Sequence, residues 1–83
     1  MKLAKYTKFR EEKFGGVLFD TRSEKVFSLN PTAAAVVREI RAGCDEPGIV
    51  ERLRTQFRAP VGSIEQEAVT FIASLRQQGL VED

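Results

Sequence analysis

The side chains that most often perform chemistry are scarce in this sequence. Its 83 residues include no histidine, which excludes imidazole acid–base catalysis and histidine metal sites. One cysteine, Cys44, suffices neither for a structural zinc site nor for an intramolecular disulfide. The acidic residues Asp45 and Glu46 beside it do not favour a nucleophilic thiolate.

The carboxylates and glycines do not supply that chemistry either. Glu65 and Glu67 are two residues apart on a predicted helix, where such neighbours do not face each other. Gly15-Gly16 lacks the spacing of phosphate-binding glycine loops. The sequence therefore predicts a protein that is not an enzyme and that needs no cofactor and no metal.

Length and composition predict one folded domain spanning residues 1–83. Hydrophobic residues make up 42% of the chain and charged residues 30%, a balance typical of globular proteins. The net charge is +1, divided between +3 in residues 1–25 and −2 in residues 26–83. Neither a signal peptide nor a membrane-spanning segment is recognisable, so we expect a cytoplasmic protein without a membrane partner.

The sequence predicts strands first and helices after them. Residues 8–13, residues 17–20 and Lys25–Leu29 are predicted strands, with a turn or bulge at Gly15-Gly16 and an antiparallel hairpin around "TRSE". Three helices follow. The expected class is α+β, a small antiparallel two- to three-stranded sheet followed by three α-helices in a winged-helix-like order.

Capping residues predict where the helices begin and end. Asn30 caps the first helix ahead of Pro31, and Gly43 closes it. Asp45 or Glu46 caps the second, and "RAPVG" at residues 58–62 ends it. The sequence "SIEQ" predicts a capping box in which Ser63 caps the third helix, and Gly79 ends that helix.

The strand Lys25–Leu29 is a candidate for binding an extended peptide. It contains no proline, and its one charge lies at its start, so few features would protect an exposed edge from pairing. At a sheet edge it would accept another strand by β-augmentation. The alternative is a central strand, or an edge without a partner.

The third helix offers a second candidate surface. Val69 lies off the apolar arc that faces the core, close to Ala73 and beside Arg76, and these residues would form one wall of a groove. Arg76 and the basic strands lead to the hypothesis of an acidic ligand. The alternative is that Val69 is a scattered apolar surface residue of the usual kind.

A winged-helix-like regulator that binds DNA is the competing function. The last helix of such a protein normally contacts phosphates, but residues 63–78 carry two glutamates against one arginine. We therefore expect no nucleic-acid partner.

Three stretches of the sequence resemble those of a known protein family. The sequences "FGGVLFDTRSEKVFSLNPTAAAVVREI", "PGIVERLRTQF" and "FIASLRQQGLVED" resemble, in order and spacing, the hairpin, middle helix and tail of the PqqD family, also called the RiPP recognition element. The resemblance covers roughly residues 14–82.

That resemblance implies a non-catalytic peptide chaperone. It would bind the leader of a ribosomally made precursor peptide and present the core to a separate modifying enzyme, often a radical SAM protein. The leader would add to the third strand and pack on the third helix. On this chain the implied peptide-binding residues are Lys25, Val26, Phe27, Ser28, Val69, Ile72, Ala73 and Arg76. Because an open edge also pairs with its own copy, monomer and homodimer are both open.

Overall fold

The order of strands and helices is visible in a computed structural model that describes residues 1–57 and 62–82. Its elements are β1 (Lys2–Leu3), β2 (Thr7–Glu12), β3 (Gly15–Asp20), β4 (Lys25–Leu29), α1 (Pro31–Arg41), α2 (Glu46–Gln56), α3 (Ser63–Gln77) and β5 (Val81–Glu82). An antiparallel sheet has the order β2-β3-β4, and β1 pairs antiparallel with β5. The predicted α+β class is confirmed.

The inner face of the β2-β3-β4 sheet carries the core. Leu18 of β3 is fully buried and is paired with Phe9 on one side and Phe27 on the other, so these three side chains share a face. Helix α1 lies on that face and contacts β3, β4, α2 and α3. Its buried side chains are mostly apolar: Ala34, Ala35, Val36, Val37 and Ile40. One central helix thus joins the sheet to the other two helices.

The predicted start of α1 is confirmed in detail. The Asn30 side-chain oxygen accepts a hydrogen bond from the backbone amide of Ala33 at 2.8 Å, and Pro31 is the first helical residue. At the other end Gly43 has a φ of 92°, and the Cys44 amide donates to the Glu39 carbonyl at 3.1 Å. This is the left-handed ending that glycine permits.

The second helix is capped by the first of the two predicted candidates. Asp45 is the N-cap of α2, and its carboxylate accepts from the Gly48 amide at 3.0 Å. Residues 58–61, where most of the predicted break after α2 falls, lie outside the described residues. No helix in the described ranges is long and apolar enough to cross a bilayer.

The capping box predicted for α3 is wrong. Ser63 is the first residue of the helix, and Gly62, with a φ of 83°, occupies the N-cap position without a side-chain cap. The Gln66 side chain donates instead to the Thr70 hydroxyl at 3.0 Å. Because Gly62 turns the chain in the left-handed region, the helix begins one residue too early for Ser63 to act as its cap.

The turn or bulge predicted at Gly15-Gly16 is also wrong, because both glycines belong to β3 and pair with β2 in continuous register. Glu12 pairs with Gly15, which leaves Lys13 and Phe14 as the turn. A Cβ on Gly15 would overlap the Leu29 carbonyl oxygen, so this glycine lets the start of β3 approach the end of β4. A Cβ on Gly16 would lie 2.7 Å from the Phe9 ring. The glycines serve close packing rather than a turn.

Replacing Gly15 by alanine tests that close approach. We expect the free energy of unfolding to fall by about 3 kcal/mol or more, because backbone strain at a φ of 143° adds to the overlap with Leu29. Gly43→Ala is the control, since its φ is also positive but no atom lies within 4 Å of the added Cβ. It should cost about 1–2 kcal/mol. Equal losses in urea unfolding would contradict the steric role of Gly15.

Candidate peptide-binding site

Strand β4 is an edge of its sheet. Among the residues that the structure describes, it pairs with β3 and with no strand on its other side. Backbone donors and acceptors that point away from β3 are therefore open to a further strand. Val26 is 64% exposed, Lys25 and Ser28 are also exposed, and Phe27 is half-buried on the inner face. The structure places all four strand residues predicted for the site on this edge.

A cleft of about 420 Å³ opens where β4 ends, between α1 and α3. This α1–α3 cleft is lined by Asn30, Thr32, Ala33, Val36, Gln66, Glu67, Thr70, Phe71 and Ser74. Asn30 directly follows the last residue of β4. Ala33, Val36 and Phe71 give the cleft apolar walls, and its volume lies within the usual range of ligand sites. The cleft therefore begins at the residue that follows the β4 edge.

The helix residues predicted for the site lie elsewhere. Ile72 is fully buried in the core, and Ala73 is exposed. Val69 lines a different depression, formed with α2 and Glu65, and Arg76 lies 3.7 Å from Glu46 of α2. The structure therefore does not bring Val69 and Arg76 together with β4. A part for these four residues in peptide binding stays a prediction.

The helix residues that do share a cleft with the end of β4 were missed. Phe71 lies at the edge of the apolar arc that faces the core, and its side chain is half-buried. Thr70 and Ser74 lie on the same flank, and Val69 lies on the other. The available signal was an aromatic residue that borders small polar ones on one side of the helix.

Tyr6 contacts both the C-terminal end of α3 and the loop between β3 and β4. Its hydroxyl donates to the Gly79 carbonyl oxygen at 2.5 Å, and the Arg22 guanidinium stacks on its ring at 3.6 Å. The Tyr6 carbonyl accepts from the Thr21 amide at 2.9 Å. Next to it the Ala4 amide donates to Leu80 at 2.9 Å, in line with the β1–β5 pairing. The β3–β4 loop and the end of α3 are thus tied to the same segment.

No group of histidine, cysteine, aspartate or glutamate residues in the described part of the chain is suited to hold a metal ion. The Cys44 thiol is half-buried and lies 3.6 Å from a Glu39 carboxylate oxygen, to which it donates. What this geometry provides is an open strand edge that leads into an apolar cleft, which suits the binding of an extended peptide.

A family comparison agrees with the fold. The family model described as coenzyme PQQ synthesis protein D (PqqD) matches residues 15–81. The chain belongs to the PqqD family. The match covers the sheet from β3 onward, all three helices and the start of β5. The curated protein sequences gave no match.

Two solved structures share the PqqD fold of this chain. One is a lasso peptide synthetase B1 complexed with the leader peptide, with a TM-score of 0.80 and 23% identity over 99% of this chain and 96% of that one. The other is TbiB1 in complex with the TbiA(beta) leader peptide, with a TM-score of 0.85 and 17% identity over 99% and 95%. At these identities the likeness establishes the fold.

The Asp20 carboxylate stabilises the loop that leads into β4, and its lowered pKa makes this contribution to stability depend on pH. Burial raises the pKa of the Asp20 carboxyl. The carboxylate, however, accepts hydrogen bonds from the Arg22 amide and from the Ser23 hydroxyl and amide, and it lies near the charge of Arg22. These interactions outweigh burial and hold the pKa below its ordinary value of 3.8. A lowered pKa means that the folded state holds the proton more weakly than the unfolded one. The carboxylate thus stabilises the fold above the ordinary pKa, and this stabilisation is lost as pH falls through the lowered one.

We expect Asp20→Asn to lower the urea midpoint at pH 7. The difference from the native protein should shrink below about pH 4, where the unfolded-state carboxyl takes up its proton before the folded-state carboxyl does. Ser23→Ala, which removes one of the hydrogen bonds, should cause a smaller loss with the same pH trend. A constant difference across this pH range would show that the Asp20 charge is not the stabilising feature.

Proposed function

We propose that this protein binds the leader segment of a ribosomally made precursor peptide, as a strand added to β4, with an apolar leader side chain in the α1–α3 cleft. The observation that carries the proposal is the continuity of the open β4 edge with the cleft at Asn30. The two similar structures, which contain leader peptides, support it.

The energetics suit reversible binding of such a segment. Each backbone hydrogen bond to the β4 edge would add about 0.5–1.5 kcal/mol, and one apolar side chain buried in the cleft about 1.5–3 kcal/mol. Part of this is offset by the entropy lost when a disordered peptide becomes ordered. The leader would thus be held firmly enough for presentation and still be released.

The proposed role is that of a non-catalytic domain, residues 1–83, that presents the peptide to a separate modifying enzyme. Family membership supports a radical SAM protein or another peptide-modifying enzyme as that partner. We place the protein in the cytoplasm, as a monomer or homodimer. The DNA-binding alternative is not favoured, because α3 exposes Glu65 and Glu67 while its Arg76 is paired with Glu46.

Strand addition predicts a specific pattern of amide protection. A synthetic leader from the precursor gene beside this chain's own gene should bind with 1:1 stoichiometry in calorimetry. Hydrogen exchange of the complex should then slow at alternate amides of β4, those that do not bond to β3, because they gain acceptors from the peptide. Absence of binding at high micromolar peptide would refute the proposed function. Binding without protection in β4 would refute strand addition.

A matched pair of substitutions locates the side-chain contact. Ala33→Phe would fill the α1–α3 cleft and should weaken leader binding about tenfold or more, since it removes the space for the leader side chain. Ala73→Phe makes the same change on an exposed position of α3 outside the cleft lining. It should leave the dissociation constant unchanged. The reverse result would favour the helix flank predicted from the sequence, and urea unfolding checks that both variants fold.

A further inference from the structure

Glu67 stands apart from the other glutamates of the helices. Glu39 lies 3.3 Å from Arg52, Glu46 lies 3.7 Å from Arg76, and both Glu51 and Glu65 contact Arg54. The Glu67 side chain is exposed and makes no ion pair or hydrogen bond with the described residues. It is therefore the helix carboxylate in the described part of the chain whose charge is left uncompensated.

That uncompensated charge lies in the α1–α3 cleft. Glu67 is the sole charged residue among those described as lining the cleft, so no cation there neutralises it. Phe71 follows four residues later on the same helix, where side chains at i and i+4 are neighbours. The cleft thus presents an aromatic surface with a carboxylate one helical turn away.

This combination fits a long cationic side chain. Lysine and arginine lay their methylene groups on apolar surfaces while the charged head remains in water, and a cation is also attracted to an aromatic face. With its stem on Phe71, such a side chain would bring its charge to Glu67. Acidic side chains would be repelled at the same place.

We propose that Glu67 is a specificity-determining residue that selects a lysine or arginine in the bound peptide. The proposal rests on the proposed function, which it extends from leader binding to the charge of the leader. It opposes the acidic ligand that Arg76 suggested in the sequence, because Arg76 is paired with Glu46 and is not among the cleft-lining residues.

The test selects a phage-displayed random peptide library on immobilised native protein and on Glu67→Gln and Glu67→Lys. Glu65→Gln is the control, since it removes the same charge from the same helix on the side that contacts α2. Peptides selected by the native protein and by Glu65→Gln should share a lysine or arginine at one position beside an apolar residue. Glu67→Gln should lose this preference, and Glu67→Lys should replace it with aspartate or glutamate.

Dissociation constants of one selected basic peptide then measure the effect. Glu67→Gln should weaken its binding about twofold to fivefold, as expected for an exposed ion pair, and Glu67→Lys should weaken it further. Replacing the peptide cation by glutamate should restore binding to Glu67→Lys. The differences should shrink between about 0.1 M and about 1 M salt, because salt screens exposed charges.

The outcomes distinguish the role of Glu67 from the proposed peptide binding on which it rests. If peptides are selected with the same charge preference by the native protein and by Glu67→Lys, the role of Glu67 is refuted and peptide binding stands. If no peptide is enriched on any variant that remains folded, peptide binding itself is refuted, and the role of Glu67 with it.

Discussion

The joint between β4 and α1 is the constraint on which the remaining structure depends. A single residue, Asn30, separates the last residue of the strand from the first residue of the helix. Its side chain caps the helix, and Pro31 fixes the first helical φ, so the chain changes direction without a flexible loop. Gly15 allows β3 to press against the same joint. Helix α1 must therefore cover the inner face of the sheet and begin where the β4 edge ends.

Sequence reasoning succeeds where the determining interactions are local. The cap at Asn30, the cap of α2 at Asp45 or Glu46, and the glycine ending of α3 act within a few residues and were predicted. The strands β1 and β5 were not, because each has two residues and their partners are almost eighty positions apart in the chain. The glycines of β3 misled for a related reason. Their purpose is contact with Leu29 and Phe9, which no local pattern shows.

The same distinction between local and long-range interactions applies to the candidate site. Strand order and composition made Lys25–Leu29 a candidate edge and left a central strand as the alternative, whereas they did not indicate which helix face lies near its end. A helical wheel identifies the core arc and its two flanks, and it carries no information on which flank faces the end of β4. That choice depends on how α3 crosses α1, and the Tyr6 contacts with Gly79 and Arg22 help to fix it. Val69 and Phe71 are two residues apart and line different depressions.

Backbone pairing at an edge strand accepts almost any extended sequence, so discrimination between peptides has to come from side chains. The core of α3 uses Ile64, Ala68, Ile72 and Leu75, all of them buried. Its cleft-lining residues Gln66, Glu67 and Thr70 are exposed and contribute little to that core. Substitutions at these cleft positions should therefore change the surface of the cleft without unfolding the protein. Such a separation of scaffold from cleft lining is compatible with the low identity, 17–23%, at which the two solved structures share this fold.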